Sequence, residues 1–374
     1  MKILFTGGGT GGHLTPIIAV CREIRKMYSK EKLEFFFIGP DDNFSDLLLS
    51  GEGIKIRNVL SGKIRRYGKW NVFFQNLFDV AVKIPIGVIQ SFFLIFFMSP
   101  DVVFSRGGFG SIPAVLASKI LLIPVYIHES DVIPGVATKF LSRFAKEIFV
   151  SFPKTEYFPI KKTFVTGNPI RKELLTGSLK EARKLFKLQS KKPVILVLGG
   201  SQGAQRINDK ILEVLPDLLD KFEIIHQCGE KNFRQVREES KVVASLEILK
   251  SYHLFPFLRE PEIREAYAAS NLIISRSGSG SIFEIAAIAK PSILIPLPES
   301  AQNHQVENAY AFSEKGAAIV MEEANFTPHF FLERLKFLFS NPGELEKMAK
   351  AAKDFSKPES GRIIANRLQL KLKS

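Results

Sequence analysis

Short, fully apolar runs recur along the chain, and each closes on glycine or a small polar turn before a helical pattern begins. Lys2–Thr6 runs into Gly7-Gly8-Gly9-Thr10-Gly11-Gly12, and Ile17, Ile18, Val20 and Ile24 then recur as one face of a helix. Leu33–Ile38, Asp101–Phe104, Val125–Ile127 and Ile148–Val150 continue the series as strands. Strands that are apolar throughout, with no polar alternation, are buried on both faces, the state of a parallel sheet covered by helices. The pattern restarts after Thr166-Gly167-Asn168-Pro169. Val194–Leu198 enters Gly199-Gly200-Ser201-Gln202-Gly203, and further strands follow at Glu223–Gln227, Leu272–Ser275 and Ser292–Ile295. Two strand–glycine–helix openings predict an α/β chain of two doubly wound domains, residues 1–166 and 167–354. A last helix within 355–374 is a candidate to pack back on the first domain.

One segment stands outside this alternation. Val80–Met98 is apolar apart from interruptions at Lys83, Pro85 and Gln90. Its uninterrupted part, Ile86–Met98, is shorter than the roughly 20 residues of a spanning helix, so it reads as a helix buried or lying at an interface, with Phe92–Phe97 in the core. Ahead of it, Lys55, Arg57, Lys63, Arg65, Arg66 and Lys69 occur with no acid between Ile54 and Phe78. Trp70, Phe73, Phe74, Leu77 and Phe78 then form an apolar stripe at helical spacing. The whole chain has 52 Lys+Arg against 38 Asp+Glu, a net charge of +14 that suits phosphorylated substrates or an anionic membrane surface. With 45% hydrophobic and 24% charged residues it is not a disordered chain. Cys21 and Cys228 are too few for a disulfide framework or zinc site and suit a reducing compartment. No secretory signal is expected, since the apolar run after Lys2 meets glycine at Gly7.

Several motifs carry candidate chemistry. Gly7, Gly9 and Gly12 fit GxGxxG, where backbone amides at a helix start approach a phosphate or sugar; a tight turn without ligand is the plainer reading. A dinucleotide fold wants an acid ending the second strand, but that strand closes on Ile38-Gly39-Pro40, and Asp41 and Asp42 come late. His13 lies on the first helical turn, where the dipole disfavours imidazolium, so it is a candidate neutral base or simply a polar residue at a helix start. Gly199–Ala204 is a second anion-binding turn, with a hydroxyl at Ser201 and an amide at Gln202. Arg171 offers a guanidinium to a diphosphate. Arg276-Ser277-Gly278-Ser279-Gly280-Ser281 opens a helix carrying Glu284, whose carboxylate suits two adjacent ribose hydroxyls. Gln302, Asn303, His304, Gln305 and Asn308 form a polar loop suited to sugar hydroxyls. His128-Glu129-Ser130-Asp131 sets a histidine beside two acids, a base with an orienting partner, and lacks the further ligand spacing of a metal site. His226, His253 and His329 read as structural, and Cys228 as a buried filler.

Together these motifs resemble the MurG glycosyltransferases. Gly7–Pro16 resembles their GGGTGGHxxP opening, and Arg106-Gly107-Gly108-Phe109 their second glycine loop. Val165–Arg171 is similar to VTGNPVR, Leu198–Ala204 to LGGSQGA, and Arg276–Ala287 to RSGxxTxxEIAA. The resemblance implies a GT-B architecture, two Rossmann-like domains facing across a cleft. It implies an inverting transfer of N-acetylglucosamine from UDP-N-acetylglucosamine to the 4-hydroxyl of a polyprenyl-diphosphate-linked muramoylpentapeptide. No metal, cofactor or nucleic acid is implied, and the place of work is the cytoplasmic face of the bacterial inner membrane, held peripherally. Donor contacts would fall on Thr10, Gly11 and Gly12, on Asp131 and Arg171, and on Ser201 and Gln202. They would continue at Arg276, Ser279, Gly280, Ser281 and Glu284, and at Gln305 and Asn308. Acceptor phosphates would meet Gly9, Gly107, Gly108 and Phe109, and the base would be His13, with Glu129 and His128 as alternatives. One segment departs from the family's HEQNxxPGxxN: Asp131 replaces an amide and Thr138 an asparagine. The rival readings are a nicotinamide-dependent oxidoreductase and a non-catalytic nucleotide-sugar-binding subunit.

Overall fold

The computed structural model describes residues 1–8, 11–62, 70–153, 156–188, 191–200 and 203–368. Lys63, Arg65, Arg66, Lys69 and the Trp70 and Phe73 side chains lie outside that description. The chain divides into two compact units, Met1–Arg171 with Lys357–Ser374, and Lys172–Ser356. The linker sequence Thr166–Asn168 stays with the first unit because its backbone is tied there. The amides of Thr166 and Gly167 both donate to the Val150 carbonyl.

Among the described residues, the first unit is built on seven parallel strands: β1 (Lys2–Thr6), β2 (Glu34–Gly39), β3 (Lys55–Asn58), β4 (Val102–Ser105), β5 (Val125–Glu129), β6 (Glu147–Val150) and β7 (Thr163–Val165). Their order is β3-β2-β1-β4-β5-β6-β7, with Ile3 of β1 between Phe35 and Val102. Ile3 and Phe5 face one layer of helices and Leu4 the other, and all three are fully buried. The all-apolar strands of the sequence are thus the central ones. The C-terminal helix Ser360–Arg367 completes the first layer, burying Ile364, Ala365 and Leu368 beside helix Gly11–Met27. Arg367 pairs with Glu147 at 2.9 Å. Phe355 remains in the other unit, against Phe283 and Phe312.

Trp70–Met98 is helical throughout, with a π-helical turn at Asp79–Lys83. Pro85 does not break it: it follows directly on the π-helical turn, where the hydrogen-bond register changes and a missing N–H is accommodated. Gly87, Ser91, Ile95 and Met98 form the buried face, against helix Ile112–Ile120; a Cβ at Gly87 would overlap the Leu60 carbonyl. The expected placement of Phe92–Phe97 in the core is corrected: Phe93 and Phe96 are each 56% exposed and Phe97 is 78% exposed. Phe74–Met98, 25 residues, is also long and apolar enough to cross a membrane by length and composition.

Among the described residues, the second unit repeats the topology with six parallel strands: β8 (Val194–Leu198), β9 (Glu223–Gln227), β10 (Tyr252–Phe255), β11 (Leu272–Ser275), β12 (Ser292–Leu294) and β13 (Ala318–Val320), in the order β10-β9-β8-β11-β12-β13. Ile195, Val197, Ile224, Ile274 and Ile293 are the buried floor beneath helices carrying Ile207, Ile211, Leu215 and Phe331.

Candidate functional site

In each unit the strand order reverses beside a glycine turn, between β1 and β4 and between β8 and β11. Open α/β sheets bind ligands at the carboxyl ends of strands at this reversal, because the two neighbouring loops leave in opposite directions and open a crevice.

At the first reversal, Thr6 leads through Gly7 into helix Gly11–Met27, and Ser105 leads into Arg106-Gly107-Gly108. Gly107 and Gly108 have φ of 68° and 77°, and a Cβ at Gly107 would overlap Thr138 Oγ1, so glycine is required there. Phe109 opens a single 3₁₀ turn, with Gly110 close against the Gly7 carbonyl. Gly9, Thr10 and the His13 side chain lie outside the described residues.

Arg106 is the hub of this unit. It is buried, its Nη1 donates to His128 Nδ1, and its Nη2 lies 3.5 Å from the Gly12 carbonyl and 3.4 Å from Asn168 Oδ1. Burial draws the guanidinium pKa down to about 10, against the pull of Glu129 and Asp131. His128 Nε2 lies 3.0 Å from the Gly167 carbonyl, which also accepts from Ser360 Oγ at 2.7 Å and Thr166 Oγ1 at 3.0 Å. A carbonyl only accepts, so Nε2 carries the proton and the Nδ1 lone pair faces Arg106. With both nitrogens engaged and the ring fully buried, His128 is a strut and has no lone pair to offer a substrate.

Glu129 has a similar interior role. Its carboxylate accepts from the amides of Ser130 at 2.9 Å, Asp131 at 3.1 Å and Gly135 at 3.2 Å, which shapes the loop after β5. Burial, with the charge of Asp131, pushes its pKa up to about 7 despite those donors. Arg171 is half-buried at the last residue of the unit's first segment.

At the second reversal, Gly200 and Gly203 take φ of 75° and 70°, while Ser201 and Gln202 lie outside the described residues. The turn rests on the Cys228 carbonyl, which accepts from Asn208 Nδ2 at 3.0 Å and Asn232 Nδ2 at 3.2 Å. Tyr252 hydroxyl and Asn208 Oδ1 occupy the two nitrogens of His226 at 2.8 and 3.0 Å. Burial lowers the His226 pKa to about 3, so it stays neutral at any working pH.

Beyond β11, Gly278 precedes helix Ser279–Ala287, whose first turn holds Ser279, Gly280 and Ser281. A Cβ built at Gly278 or Gly280 would meet no other atom within 4 Å, so there is open space beside both residues. Glu284 follows one turn later, with Oε2 accepting from the buried Tyr267 hydroxyl at 2.9 Å. Ser277 Oγ donates to the Gln305 carbonyl at 2.7 Å, and Gln305 Oε1 accepts from the Leu297 amide at 3.1 Å. Buried Asn308 lies 3.4 Å from the Ser277 carbonyl through Nδ2. Gln305 and Asn308, expected as donor contacts, therefore also help build the loop that carries them. Arg276, expected among the donor contacts, has interior partners: its Nη1 donates to the carbonyls of Ile295 and Pro296, and its Nη2 pairs with Glu323 at 2.5 Å. Its charge is committed inside the unit. No local pattern marks Tyr267 or Glu323, which join the site only through tertiary packing; an arginine directly after an apolar strand was the available signal for Arg106.

Family models match most of the chain. The glycosyltransferase family 28 N-terminal domain matches residues 3–150, and the glycosyltransferase family 28 C-terminal domain matches residues 194–362. A Clostridium tetani protein named UDP-N-acetylglucosamine–N-acetylmuramyl-(pentapeptide) pyrophosphoryl-undecaprenol N-acetylglucosamine transferase is 36% identical over 357 residues, covering 95% of this chain and 94% of its own. A protein of the same name from Lachnospira eligens is 38% identical over 342 residues, covering 91% of each chain. The crystal structure of Acinetobacter baumannii MurG superposes with a TM-score of 0.73 at 25% identity, covering 98% of this chain and 99% of that one.

Proposed function

The chain belongs to glycosyltransferase family 28 and within it to the MurG transferases, and from that premise we propose that it moves N-acetylglucosamine from UDP-N-acetylglucosamine to the muramoyl 4-hydroxyl of a polyprenyl-diphosphate-linked muramoylpentapeptide. The observation that carries this reading is identity to transferases of that name along nearly the whole chain. The nicotinamide reading falls with it, since both glycine turns lie within transferase domains.

The chemistry is a displacement with inversion. A base removes the proton of the acceptor hydroxyl, its oxygen attacks the anomeric carbon, and the bond to the UDP oxygen breaks as charge passes to the diphosphate. His13 is the base in this reading, because His128 and Glu129 are engaged in the interior. The amides opening helix Ser279–Ala287 and the Gly199–Ala204 turn receive the diphosphate, where aligned dipoles favour negative charge, and Arg171 adds a full charge. Glu284 takes the ribose hydroxyls; with Tyr267 on one lone pair, the carboxylate retains acceptor capacity for two more donors. Transfer of labelled N-acetylglucosamine to a polyprenyl-linked muramoyl acceptor tests the reading. No transfer by folded protein with both substrates present would refute it.

An acceptor anchored in the bilayer requires the enzyme to work at its surface, on the cytoplasmic face where nucleotide sugars are found. Support for peripheral attachment comes from the helix ending at Met98. It runs from Asp79, close against Gly62 beyond β3, to the Met98 carbonyl, bound by Lys2 Nζ at the start of β1. It therefore extends from the edge that carries the glycine turns to the opposite edge, with Ile89, Phe93, Phe96 and Phe97 exposed along the way and Phe74 and Phe78 exposed just ahead of Asp79. Such a face, lying in the headgroup boundary, would bring the acceptor loops to the lipid.

A further inference from the structure

Four charged side chains of the second unit, two arginines and two glutamates, gather at the carboxyl ends of four neighbouring strands. Arg206 stands on helix Gln205–Glu213 after β8, Arg276 follows β11, Glu299 follows β12 and Glu323 follows β13. These strands are adjacent in that order. Arg206 forks onto Glu299, Nη1 to Oε2 at 3.0 Å and Nη2 to Oε1 at 2.7 Å, and its Nη1 also reaches Glu323 Oε2 at 2.6 Å. Glu323 Oε1 forms an ion pair with Arg276 Nη2 at 2.5 Å, and Arg276 Nη1 donates to the carbonyls of Ile295 and Pro296. The result is a continuous chain, Glu299–Arg206–Glu323–Arg276, that returns to the segment bearing Glu299.

That segment is strained. Gln302 and Asn303 are consecutive left-handed residues, φ 57° and 56°, and neither is glycine. Such backbone persists only where its surroundings over-determine it. On one side Gln305 does so, donating its amide to Ser300 Oγ at 3.2 Å and receiving the Leu297 amide. On the other side the side-chain anchor is Glu299. A two-pronged guanidinium–carboxylate pair fixes direction as well as distance, which a lysine would not. Arg206 also stands two residues beyond Ala204, at the start of the helix that follows the second glycine turn.

We propose that Arg206 is a positioning residue for the donor sugar: through Glu299 it sets the 298–303 loop against the diphosphate turn, and so tunes which hexosamine of a nucleoside diphosphate is accepted. The inference rests on the donor reading above and deepens it. Committed to two carboxylates, Arg206 is not itself a phosphate ligand.

The test uses the full chain with UDP, UDP-N-acetylglucosamine and UDP-N-acetylgalactosamine, by calorimetry and steady-state kinetics. Arg206→Ala and Glu299→Gln are each expected to raise KM for UDP-N-acetylglucosamine about five- to tenfold and to erode its preference over the galactosamine epimer, the scale of a lost network contact. Affinity for UDP and kcat should stay within about twofold, and the double variant should be no worse than the worse single one, as for partners in one interaction. Arg206→Lys, which keeps the charge without the fork, should recover only part of the loss. Glu299 is 57% exposed, so its variant does not threaten folding. Equal loss of UDP and UDP-sugar affinity, or unchanged KM and preference in both single variants, would overturn the proposal. A wild-type chain that binds neither UDP nor its sugar would overturn the donor reading, and this proposal with it.

Discussion

Arg106 and His128 are locked together inside the first unit, the guanidinium donating to Nδ1 while Nε2–H points at the Gly167 carbonyl. The pair joins the ends of β4 and β5 to the linker segment and, through Ser360, to the C-terminal helix. The ring shares this buried cation with the Gly12 carbonyl and Asn168, and its loss would leave Nη1 without the acceptor it now has.

His128→Ala should therefore act on stability. Removing the partner of a buried, charged donor costs about 2–4 kcal/mol. Scanning calorimetry should show a fall in the thermal midpoint of several degrees, roughly 2–4 °C per kcal/mol at this size. His13→Ala should leave the midpoint in place and lower turnover by about 10²–10⁴, with UDP affinity unchanged. The opposite pattern would exchange their roles.

The Glu129 carboxyl predicts a pH effect with a definite sign. Its folded pKa is raised from an ordinary 4.5 to about 7, so between those values the folded state holds a proton that the unfolded chain has lost. Its contribution is fully present below pH 4.5 and is lost as pH rises through about 7. Thermal midpoints measured across that window should decline with pH in wild type, and less steeply in Glu129→Gln. Parallel slopes would show that Glu129 is charged throughout.

Glu284→Ala should weaken UDP binding by about 1.5–3 kcal/mol, the range for hydrogen bonds to a charged group. Tyr267→Phe, which frees one lone pair without removing the carboxylate, should change UDP affinity far less. Calorimetric titration of folded variants decides it; an unchanged affinity in Glu284→Ala would remove the ribose from this residue.

Phe93→Ser, Phe96→Ser and Phe97→Ser combined should cut flotation with anionic vesicles by more than about tenfold, since each exposed phenylalanine would otherwise bury apolar area in the lipid boundary. The midpoint should not fall, and a short-chain soluble acceptor should still be used. Equal flotation of variant and wild type at low salt would place the membrane contact elsewhere.

The sequence by itself determined the central strands and the glycine turns. β1, β2, β4, β5, β6, β8, β9, β11 and β12 are legible because strands buried on both faces must be apolar at nearly every position. β3, β7, β10 and β13 are not, and these are the four sheet edges, half-covered strands such as Lys55–Asn58 whose mixed composition resembles a loop. The same limit governed the site. Glycines at Gly107, Gly200 and Gly203 announce their positive φ locally, so the turns could be read from the chain. Whether His128, Arg276 and Gln305 face a ligand or an interior partner depends on Gly167, Glu323 and Leu297, which lie 39, 47 and 8 residues away in sequence. Phe92–Phe97 shows the limit on a helix: the sequence makes every position apolar, and only the packing of Gly87, Ser91 and Ile95 against a neighbouring helix decides which side faces out. Polarity is a property of each residue, but a partner is a property of the fold.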